Sequence, residues 1–467
     1  MKYARVGVKD VEFFRSVCST DRVLTGKNIS SDYAHDEMPI YGQFLPDVLI
    51  YTLSTKEVSA IMAYCNKRHI PVTPRGSGTG LCGGAVAKYG GVLLSTEKMN
   101  SILEVDEENL TATVEPGVLL MDFAAHVLSK NLFYPPEPGE KSATLGGNVM
   151  TNAGGMKAVK YGVTRDYVIG LEMVLSDGRV LQTGGKLAKN SSGYSLLHMF
   201  VGSEGTLGIV TKIILKLIPK PYKSISLLVP FDSLHTCIGA VPVLLKSQLL
   251  PVAVEFMQKE VILESEKYLG HEFPDKSADA YLLLSFDGKS REEVERVCDH
   301  AAEICITHGA RDAFYADTTE RLSCLWDARG AFLEAIKSST DEMDECDVVV
   351  PRSLIAEFVG YIKSLEDEYN IRIRYFGHAG DGNIHIYVCR DQLEEPEWKR
   401  RLNAVMKRLY QKASEISGKV SGEHGIGHAK IDYLLESEGG LFMEVMKKIK
   451  LVLDPNYILN PGKVIKE

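Results

Sequence analysis

One glycine-rich stretch limits the possible folds of this chain more than any other feature. The segment PRGSGTGLCGGAV, residues 74–86, carries the pattern G-x-G-x-x-G at Gly78, Gly80 and Gly83. In a nicotinamide-dinucleotide fold that pattern opens a crossover helix, and an acidic residue follows near the end of the next strand. Here the next residues, AVAKYGGVLLST, leave room only for a short strand. The sequence therefore argues against a Rossmann fold and leaves two interpretations, an anion-binding loop and a plain cluster of turns.

The bulk properties restrict the class of protein. The chain has 467 residues, which suggests two or three domains, and its net charge of -9 argues against a nucleic-acid partner. No apolar run is long enough for a membrane span, and the first residues lack the apolar core of a signal peptide. The nine cysteines contain no C-x-x-C pair, which excludes the usual zinc-ribbon and iron–sulfur spacings. We therefore expect a cytoplasmic protein with reduced thiols.

The composition and the residue pattern of the sequence change twice along the chain. Residues 1–36 are polar and predict a helical segment, whereas residues 37–217 are glycine-rich with short strand-like runs. After the Pro-Lys-Pro stretch at 219–221, residues 222–467 alternate strands such as AYLLLSF with charged helical patterns such as SREEVERVCDHAAEICITHG. These three ranges are the predicted domains.

Two histidines flank a predicted hairpin turn. The segment FGHAGDGNIHI, residues 376–386, sets His378 and His385 on either side of Gly-Asp-Gly-Asn, between two alternating runs. Glycine and asparagine accept the positive φ that tight turns require, so the two imidazoles should face each other. Either histidine alone would be read as a surface residue, but a pair aimed at one point is typical of metal ligands.

A third ligand is offered by SGKVSGEHGIGHAK, residues 417–430. Glu423 and His424 lie side by side there, and consecutive residues of an extended segment point in opposite directions, so one can bind a metal while the other faces a substrate. A capping glutamate and a surface histidine are the alternative. Together with the hairpin, however, His378, His385 and Glu423 have the composition of a 2-His-1-carboxylate site.

Further glycine-rich loops accompany the first one: PPEPGEKSATLGGNVMTNAGG at 135–155 and KNSSGYSLLHMFVGSEGTLGIVT at 189–211. Taken in order with EPGVLLMDF and YGVTRDYVIGLEMVLSDGRVL, they resemble the vanillyl-alcohol-oxidase type of FAD-binding domain, in its glycolate oxidase and D-lactate dehydrogenase branch. The resemblance implies an α+β fold: an FAD-binding domain of two subdomains that grip the FAD, followed by an α+β substrate (cap) domain with a C-terminal helical segment.

The resemblance also assigns roles to individual residues. It implies that FAD is held by Arg75, Gly76, Ser77, Gly78, Thr79, Gly80, Pro138, Ser142, Gly146, Gly147, Asn152, Gly154, Gly205 and Ile209. Some relatives attach the flavin through a histidine of the first loop, but this loop has Cys82 instead, so we expect noncovalent FAD. By the same carry-over His378, His385 and Glu423 bind one divalent ion (iron, zinc or manganese) and His424 is the base. The segment LWDARGAF places Arg329 as the clamp for the substrate carboxylate.

The expected reaction is oxidation of a small 2-hydroxy acid, D-lactate in the first place, to its 2-oxo acid (pyruvate). The family's polar set for larger diacids is not clearly reproduced in AFLEAIKSSTDEMDECDVVVP, which favours a small substrate. The sequence shows no motif for a second redox centre that could take electrons from the flavin. We therefore expect electrons to pass to an electron-transfer flavoprotein and thence to NAD and ferredoxin, by electron bifurcation. The alternative is a glycolate oxidase subunit that feeds quinone through an iron–sulfur partner. Other rivals are a metal-free alcohol or amine oxidase and a non-catalytic flavin subunit; a homodimer is compatible with the sequence.

Overall fold

The computed structural model describes residues 3–466, and the contacts between these residues divide them into two compact units. Unit 1 contains residues up to Gly154, Val163–Lys220 and the segment that begins at Glu423; unit 2 contains Gly155–Gly162 and Pro221–Gly422. Residues 423–466 thus group with the glycine-rich part of the chain, which differs from the predicted single domain 222–467. The ends of the predicted ranges, residues 1, 2 and 467, lie outside the described residues.

Unit 1 contains two main sheets and one short strand pair. The first sheet has the order Val23–Thr25, Val48–Tyr51, Val92–Ser95, Val72–Arg75. The second is antiparallel in the order Ile102–Asp106, Thr111–Val114, Ile209–Lys216, Val168–Val174, Val180–Gly184, and the pair is Ile218–Pro219 with Leu132–Phe133. Val72–Arg75 and Val92–Ser95 are parallel neighbours joined by a loop without a helix. The prediction that no crossover helix follows the first glycine loop is therefore confirmed.

The helices of unit 1 begin and end at recognisable signals. Ser54 accepts a hydrogen bond from the Glu57 main chain and so caps Thr55–Arg68, and Thr144 caps Leu145–Thr151 through the amide of Gly147. The helices are Val8–Cys18, Thr55–Arg68, Leu120–Ser129, Leu145–Thr151, Thr164–Tyr167, Leu196–Phe200, Ile431–Glu438 and Gly440–Leu453. The N-terminal segment is only partly helical, since Val23–Thr25 is a strand paired with Val48–Ile50. The apolar side chains that this strand packs against its neighbour outweigh the polar composition of the N-terminal segment.

The C-terminal segment belongs to unit 1 because its apolar residues are part of that unit's core. Ile458 and Leu459 are fully buried in the cluster that also contains Val72 and Ile209. The main chain adds to this packing, since the amide of Val72 donates to the Ile458 carbonyl at 2.7 Å. A short apolar pair inside DPNYILNPG carries little periodicity, so the sequence pattern did not indicate this position.

Unit 2 is built on one seven-stranded antiparallel sheet. Its order is Phe314–Ala316, Lys223–Phe231, Ala280–Gly288, Ala253–Gln258, Ile373–His378, Asn383–Cys389, Met343–Val349. Its helices are Ala158–Tyr161, Leu234–Lys246, Lys259–Leu269, Arg291–Thr307, Thr319–Gly330, Phe332–Ser338, Ile355–Tyr369 and Glu395–Glu415. The helix predicted around residues 290–309 is confirmed, and so is the hairpin of Ile373–His378 with Asn383–Cys389. Within residues 3–466, no helix has the length and apolar character that a bilayer crossing demands.

Candidate functional site

The hairpin brings the two predicted histidines together. The ring atoms His378 Nε2 and His385 Nε2 are 3.2 Å apart, and both residues are 4% exposed. His378 pairs with Asn383 at the end of the ladder and His385 pairs with Phe376, so both side chains project from the same face of the sheet. The prediction that the turn aims two imidazoles at one point is therefore confirmed in geometry.

Each imidazole has a buried carboxylate on its other side. His378 Nδ1 lies 2.7 Å from Glu255 Oε1, and His385 Nδ1 lies 3.7 Å from Asp347 Oδ1. The first distance is a hydrogen bond, whereas the second is an ion-pair distance only. Asp347 is itself held by the Asn383 side-chain amide, which donates to Oδ1 at 2.7 Å. Histidine ligands of metals commonly have such carboxylates behind them, because these fix the ring and its tautomer.

Strand pairing explains how these distant residues meet. Glu255 lies opposite His378 on one neighbouring strand, and Asp347 lies opposite His385 on the other. Sequence reasoning missed both acids. A signal was present, since Glu255 interrupts the apolar run AVEFM, and Glu345 and Asp347 occur two residues apart in MDECDVV, as residues on one face of a strand do.

Arg329 is also in this cluster, but its position adds a role to the predicted one. Its Nε and Nη2 atoms lie 2.8 and 2.6 Å from Glu255 Oε2, and its guanidinium lies 4.5 Å from the Phe376 ring centroid. Burial raises the pKa of Glu255, but its electrostatic and hydrogen-bond interactions with His378 and Arg329 outweigh burial and hold that pKa below its usual value. Glu255 therefore links the predicted carboxylate clamp to a predicted metal ligand, and the contact of Arg329 with substrate stays a prediction.

The cluster brings buried carboxylates and imidazoles close together. Glu345 is fully buried, and its carboxylate, that of Asp347 and a ring nitrogen of His385 all lie within 4.8 Å of one another. Carboxylate oxygens and imidazole nitrogens are the ligand types that divalent transition metals take in proteins. The residues present therefore fit a divalent metal ion.

The first flavin loop is shaped to receive an anion. In the part of the chain that the structure describes, the main-chain amides of residues 77–80 donate to no protein acceptor. A Cβ on Gly78, which has φ +80°, would overlap the Arg75 guanidinium. That guanidinium donates to the carbonyls of His35 at 2.8 Å and Asp32 at 3.0 Å, so it holds the loop rather than presenting its charge. Main-chain amides that donate to no protein acceptor, in a loop that alternates with glycines, fit a pyrophosphate.

The other residues that are predicted to bind the flavin lie in loops, a short helix and a strand of unit 1. Gly146 and Gly147 lie in the first turn of the helix Leu145–Thr151, whose C-cap Asn152 has φ +52°. A Cβ on Gly76 would overlap the Thr144 side chain, and one on Gly205, at φ +69°, would overlap Pro74. Pro138 is half-buried, Ser142 is exposed and donates to Glu140, and Ile209 packs in the core. Ile209 therefore has only its main chain to offer a ligand.

Glu423 and His424 open the C-terminal segment of unit 1. Their side chains approach each other, with His424 Nε2 3.4 Å from Glu423 Oε1, so the prediction that they point in opposite directions is wrong. The chain bends at 422–424, and the alternation of an extended strand does not apply there. Immediately before them, Gly422 belongs to unit 2, where its amide donates to Asp347 Oδ2 at 3.1 Å.

Comparisons with known proteins identify the family of the chain. A family model described as "FAD binding domain" matches residues 46–184, and one described as "FAD linked oxidases, C-terminal domain" matches residues 220–464. The chain is 50% identical to a protein of Anaerostipes hadrus named D-lactate dehydrogenase, over 99% of this chain and 98% of that one. It is 43% identical to the glycolate oxidase subunit GlcD of Bacillus subtilis, over 92% and 91% of the two chains.

A comparison of structures identifies the fold. The chain superposes on p-cresol methylhydroxylase with a TM-score of 0.81 at 20% identity, over 98% of this chain and 96% of that one. At that identity the likeness concerns the fold alone, and it is the vanillyl-alcohol-oxidase type that the sequence predicted. The chain belongs to the FAD-linked oxidases, in the glycolate oxidase and D-lactate dehydrogenase family, and it is an FAD-dependent oxidoreductase.

Proposed function

We propose that this chain oxidises a small 2-hydroxy acid, D-lactate in the first place, to its 2-oxo acid, with one FAD and one divalent metal ion. The observation that carries the metal part is the 3.2 Å approach of His378 Nε2 to His385 Nε2, with Glu255 and Asp347 on the far side of the rings. With each Nδ1 proton directed toward its carboxylate, the Nε2 lone pairs of His378 and His385 would be available to hold a divalent ion.

The proposed ligands are His378, His385 and Glu423. Glu423 follows Gly422 directly, and Gly422 is hydrogen-bonded to Asp347, the acid behind His385, which supports Glu423 as the carboxylate of the set. Iron, zinc and manganese all suit imidazole and carboxylate ligands. The bound ion would act as a Lewis acid on the substrate's hydroxyl.

The remaining roles fall to residues of this chain. His424 removes the hydroxyl proton as general base, and Arg329 orients the substrate through its carboxylate. Glu255 holds Arg329 and His378 in a fixed relation through its two oxygens. FAD, when bound, would accept the hydride from C2 of the substrate. His424→Ala should slow flavin reduction by about 10²–10⁴-fold, the usual worth of general-base catalysis.

The flavin is proposed to be noncovalent. Cys82 takes the place of the histidine through which some relatives attach FAD, and its thiol donates to the Gly425 carbonyl at 3.3 Å. Burial and this hydrogen bond support a structural thiol rather than a flavin link. Acid precipitation should therefore release all of the yellow colour, and colour retained in the pellet would contradict a noncovalent flavin.

The sequence supports a monocarboxylate substrate. The family's polar set for larger diacids is not clearly reproduced in AFLEAIKSSTDEMDECDVVVP. The test is anaerobic flavin bleaching with D-lactate, L-lactate, glycolate and D-2-hydroxyglutarate. We expect D-lactate to bleach fastest and the diacid to bleach slowest. Fastest bleaching by glycolate would favour the alternative, a glycolate oxidase subunit, to which the similarity with GlcD of Bacillus subtilis also points.

The proposed electron acceptor is a separate electron-transfer flavoprotein, which passes electrons on to NAD and ferredoxin. The support is indirect: the sequence has neither iron–sulfur spacing nor a c-type haem motif. In an anaerobic mixture of the isolated chain, D-lactate and NAD, we expect bleached flavin and no NADH, and an electron-transfer flavoprotein added to the mixture should become reduced. Direct NAD reduction by the chain alone would contradict this, and so would failure to reduce any added electron-transfer flavoprotein.

A further inference from the structure

Glu204 holds an unusual backbone position in the third flavin loop. It lies in the segment GSEGTLG, one residue before Gly205, and it has φ +51°, a left-handed conformation that is uncommon outside glycine. Its main chain is fixed on both sides, since its amide donates to the Met150 carbonyl and its own carbonyl accepts from the Asn460 side chain, both at 2.8 Å. Backbone strain of this kind concentrates at functional sites and persists where the surroundings enforce it.

The buried side chain of Glu204 holds a loop that is more than two hundred residues away in sequence. Its Oε1 accepts from the amide of Ile426 at 2.7 Å, and its Oε2 accepts from the amide of Gly427 at 2.8 Å. The loop is shaped for that carboxylate: Gly425 has φ +83°, and a Cβ there would lie 2.8 Å from Glu204 Oε1. One carboxylate thus receives two consecutive main-chain N–H groups of unit 1.

The same loop is tied to the first flavin loop through the ring of His428. The ring nitrogens of His428 lie 3.0 Å from the Gly83 carbonyl and 3.1 Å from the Tyr41 carbonyl. Burial lowers the pKa of His428, and its contacts with the two carbonyls oppose that shift. Burial raises the pKa of Glu204, and the two amides oppose that shift. Glu204 is therefore the acidic anchor of residues 425–428, and it lies within the flavin loops themselves.

We propose that Glu204 is a positioning residue of the oxidation. By fixing the amides of Ile426 and Gly427, Glu204 holds residues 425–428 in place. These residues directly follow Glu423 and His424, so their position also sets the position of Glu423 and His424. The inference rests on the proposed function, in which those residues are a metal ligand and the base. A misplacement of about 1 Å in a reacting group costs roughly 10²-fold in rate, and loss of a residue that supports a metal ligand costs about 10–100-fold in metal affinity.

The test compares Glu204→Gln with wild type as the FAD-loaded full chain. Glutamine matches the shape, but its NH₂ group opposes one of the two amides that the carboxylate accepts. We expect unchanged FAD content, faster hydrogen exchange in peptides covering residues 423–430, about 10–100-fold slower flavin reduction by D-lactate, and weaker zinc or manganese binding. Glu204→Asp keeps both acceptor oxygens and should recover part of the rate.

Asp10→Asn is the matched control. Asp10 is also a buried acid of unit 1 that accepts a main-chain amide, that of Gly7 at 2.8 Å, but it lies in the first helix. Its variant should lose stability while flavin reduction and exchange at 423–430 stay at wild-type values. A loss of reduction rate in this control that matches its loss of stability would assign the effect of Glu204 to stability alone.

Three further results would overturn the proposal: wild-type exchange at residues 423–430 in Glu204→Gln, faster exchange with unchanged reduction and metal binding, or loss of FAD from both Glu204 variants. If wild type bound no metal and no 2-hydroxy acid bleached its flavin, the proposed function itself would fail. The exchange comparison would then decide by itself whether Glu204 holds the loop, so the two failures are distinguishable.

Discussion

At the scale of single residues, the site depends on charged groups that support the predicted ones. Glu255 contacts both His378 and Arg329, and Asp347 contacts both Asn383 and the chain just before Glu423. In low-dielectric surroundings such networks are strong only when every member has its partner. Substitution of a supporting acid should therefore change metal binding without touching FAD.

The substitution Glu255→Gln tests the role of a supporting acid in metal binding most directly. The amide retains the shape but loses the charge that balances Arg329 and polarises His378, so metal affinity and flavin reduction should each fall by about 10–100-fold. Metal content by mass spectrometry and stopped-flow bleaching measure the two effects. Glu260→Gln, an exposed acid of the next helix, is the control and should behave as wild type. Full metal affinity in Glu255→Gln would contradict the supporting role.

From the buried Lys463 we predict that the free energy of unfolding depends on pH. Burial lowers its pKa from the usual 10.5 to about 7. Between those two values the unfolded chain binds more protons than the folded chain, so the contribution of Lys463 to the free energy of unfolding rises with pH across that range. Lys463→Met should remove this contribution, so its stability relative to wild type should be highest near pH 6.5 and fall toward pH 9.5.

Chemical denaturation at several pH values measures that difference. Lys466→Met is the control, because the side chain of Lys466 is 63% exposed and pairs with Asp432 at the surface. The control should show no such trend. A stability difference between Lys463→Met and wild type that is the same at every pH would refute the buried ammonium as its cause.

At the scale of elements, the hairpin is the part of the site that the sequence predicted best. Turn residues and alternating flanks are local signals, so the turn between His378 and His385 could be placed from eleven residues. The acids behind the rings could not be placed in this way. Glu255 is 123 residues from His378 in sequence, and only the order of strands in the sheet brings them together. Local pattern does not determine strand order.

Gly382→Ala tests the hairpin as an element. Gly382 has φ +98°, and a Cβ there would overlap the Val350 carbonyl, so alanine should cost about 1–3 kcal/mol of stability. Because the same turn orients both histidines, metal affinity should fall as well. Gly360→Ala, in the helix Ile355–Tyr369 with open space around its Cβ position, should be neutral or stabilising. A Gly382→Ala protein with unchanged unfolding midpoint and metal content would contradict this account.

At the scale of the whole molecule, the flavin loops and the histidine hairpin belong to different units, and the chain passes from one unit to the other between Gly422 and Glu423. The fold type was predicted through the resemblance of these glycine-rich loops, in their order along the chain, to the vanillyl-alcohol-oxidase type of FAD-binding domain. The membership of residues 423–466 was not predictable, since it depends on the burial of Ile458 and Leu459 in a core formed by distant strands. The burial of these two residues, rather than the composition of the segment, decides to which unit the segment belongs.

The central claim is that metal held by His378 and His385 is required for oxidation of the substrate, whereas FAD binding is independent of it. The most direct measurement is anaerobic bleaching by D-lactate of metal-depleted, FAD-loaded protein before and after addition of zinc or manganese, with His385→Ala and the exposed His300→Ala in parallel. A Lewis acid is worth several kcal/mol, so depletion should slow bleaching by about 10²-fold or more. Added metal should restore wild type and His300→Ala but not His385→Ala. Full-rate bleaching in the depleted protein, or in a metal-free His385→Ala protein, would contradict the claim.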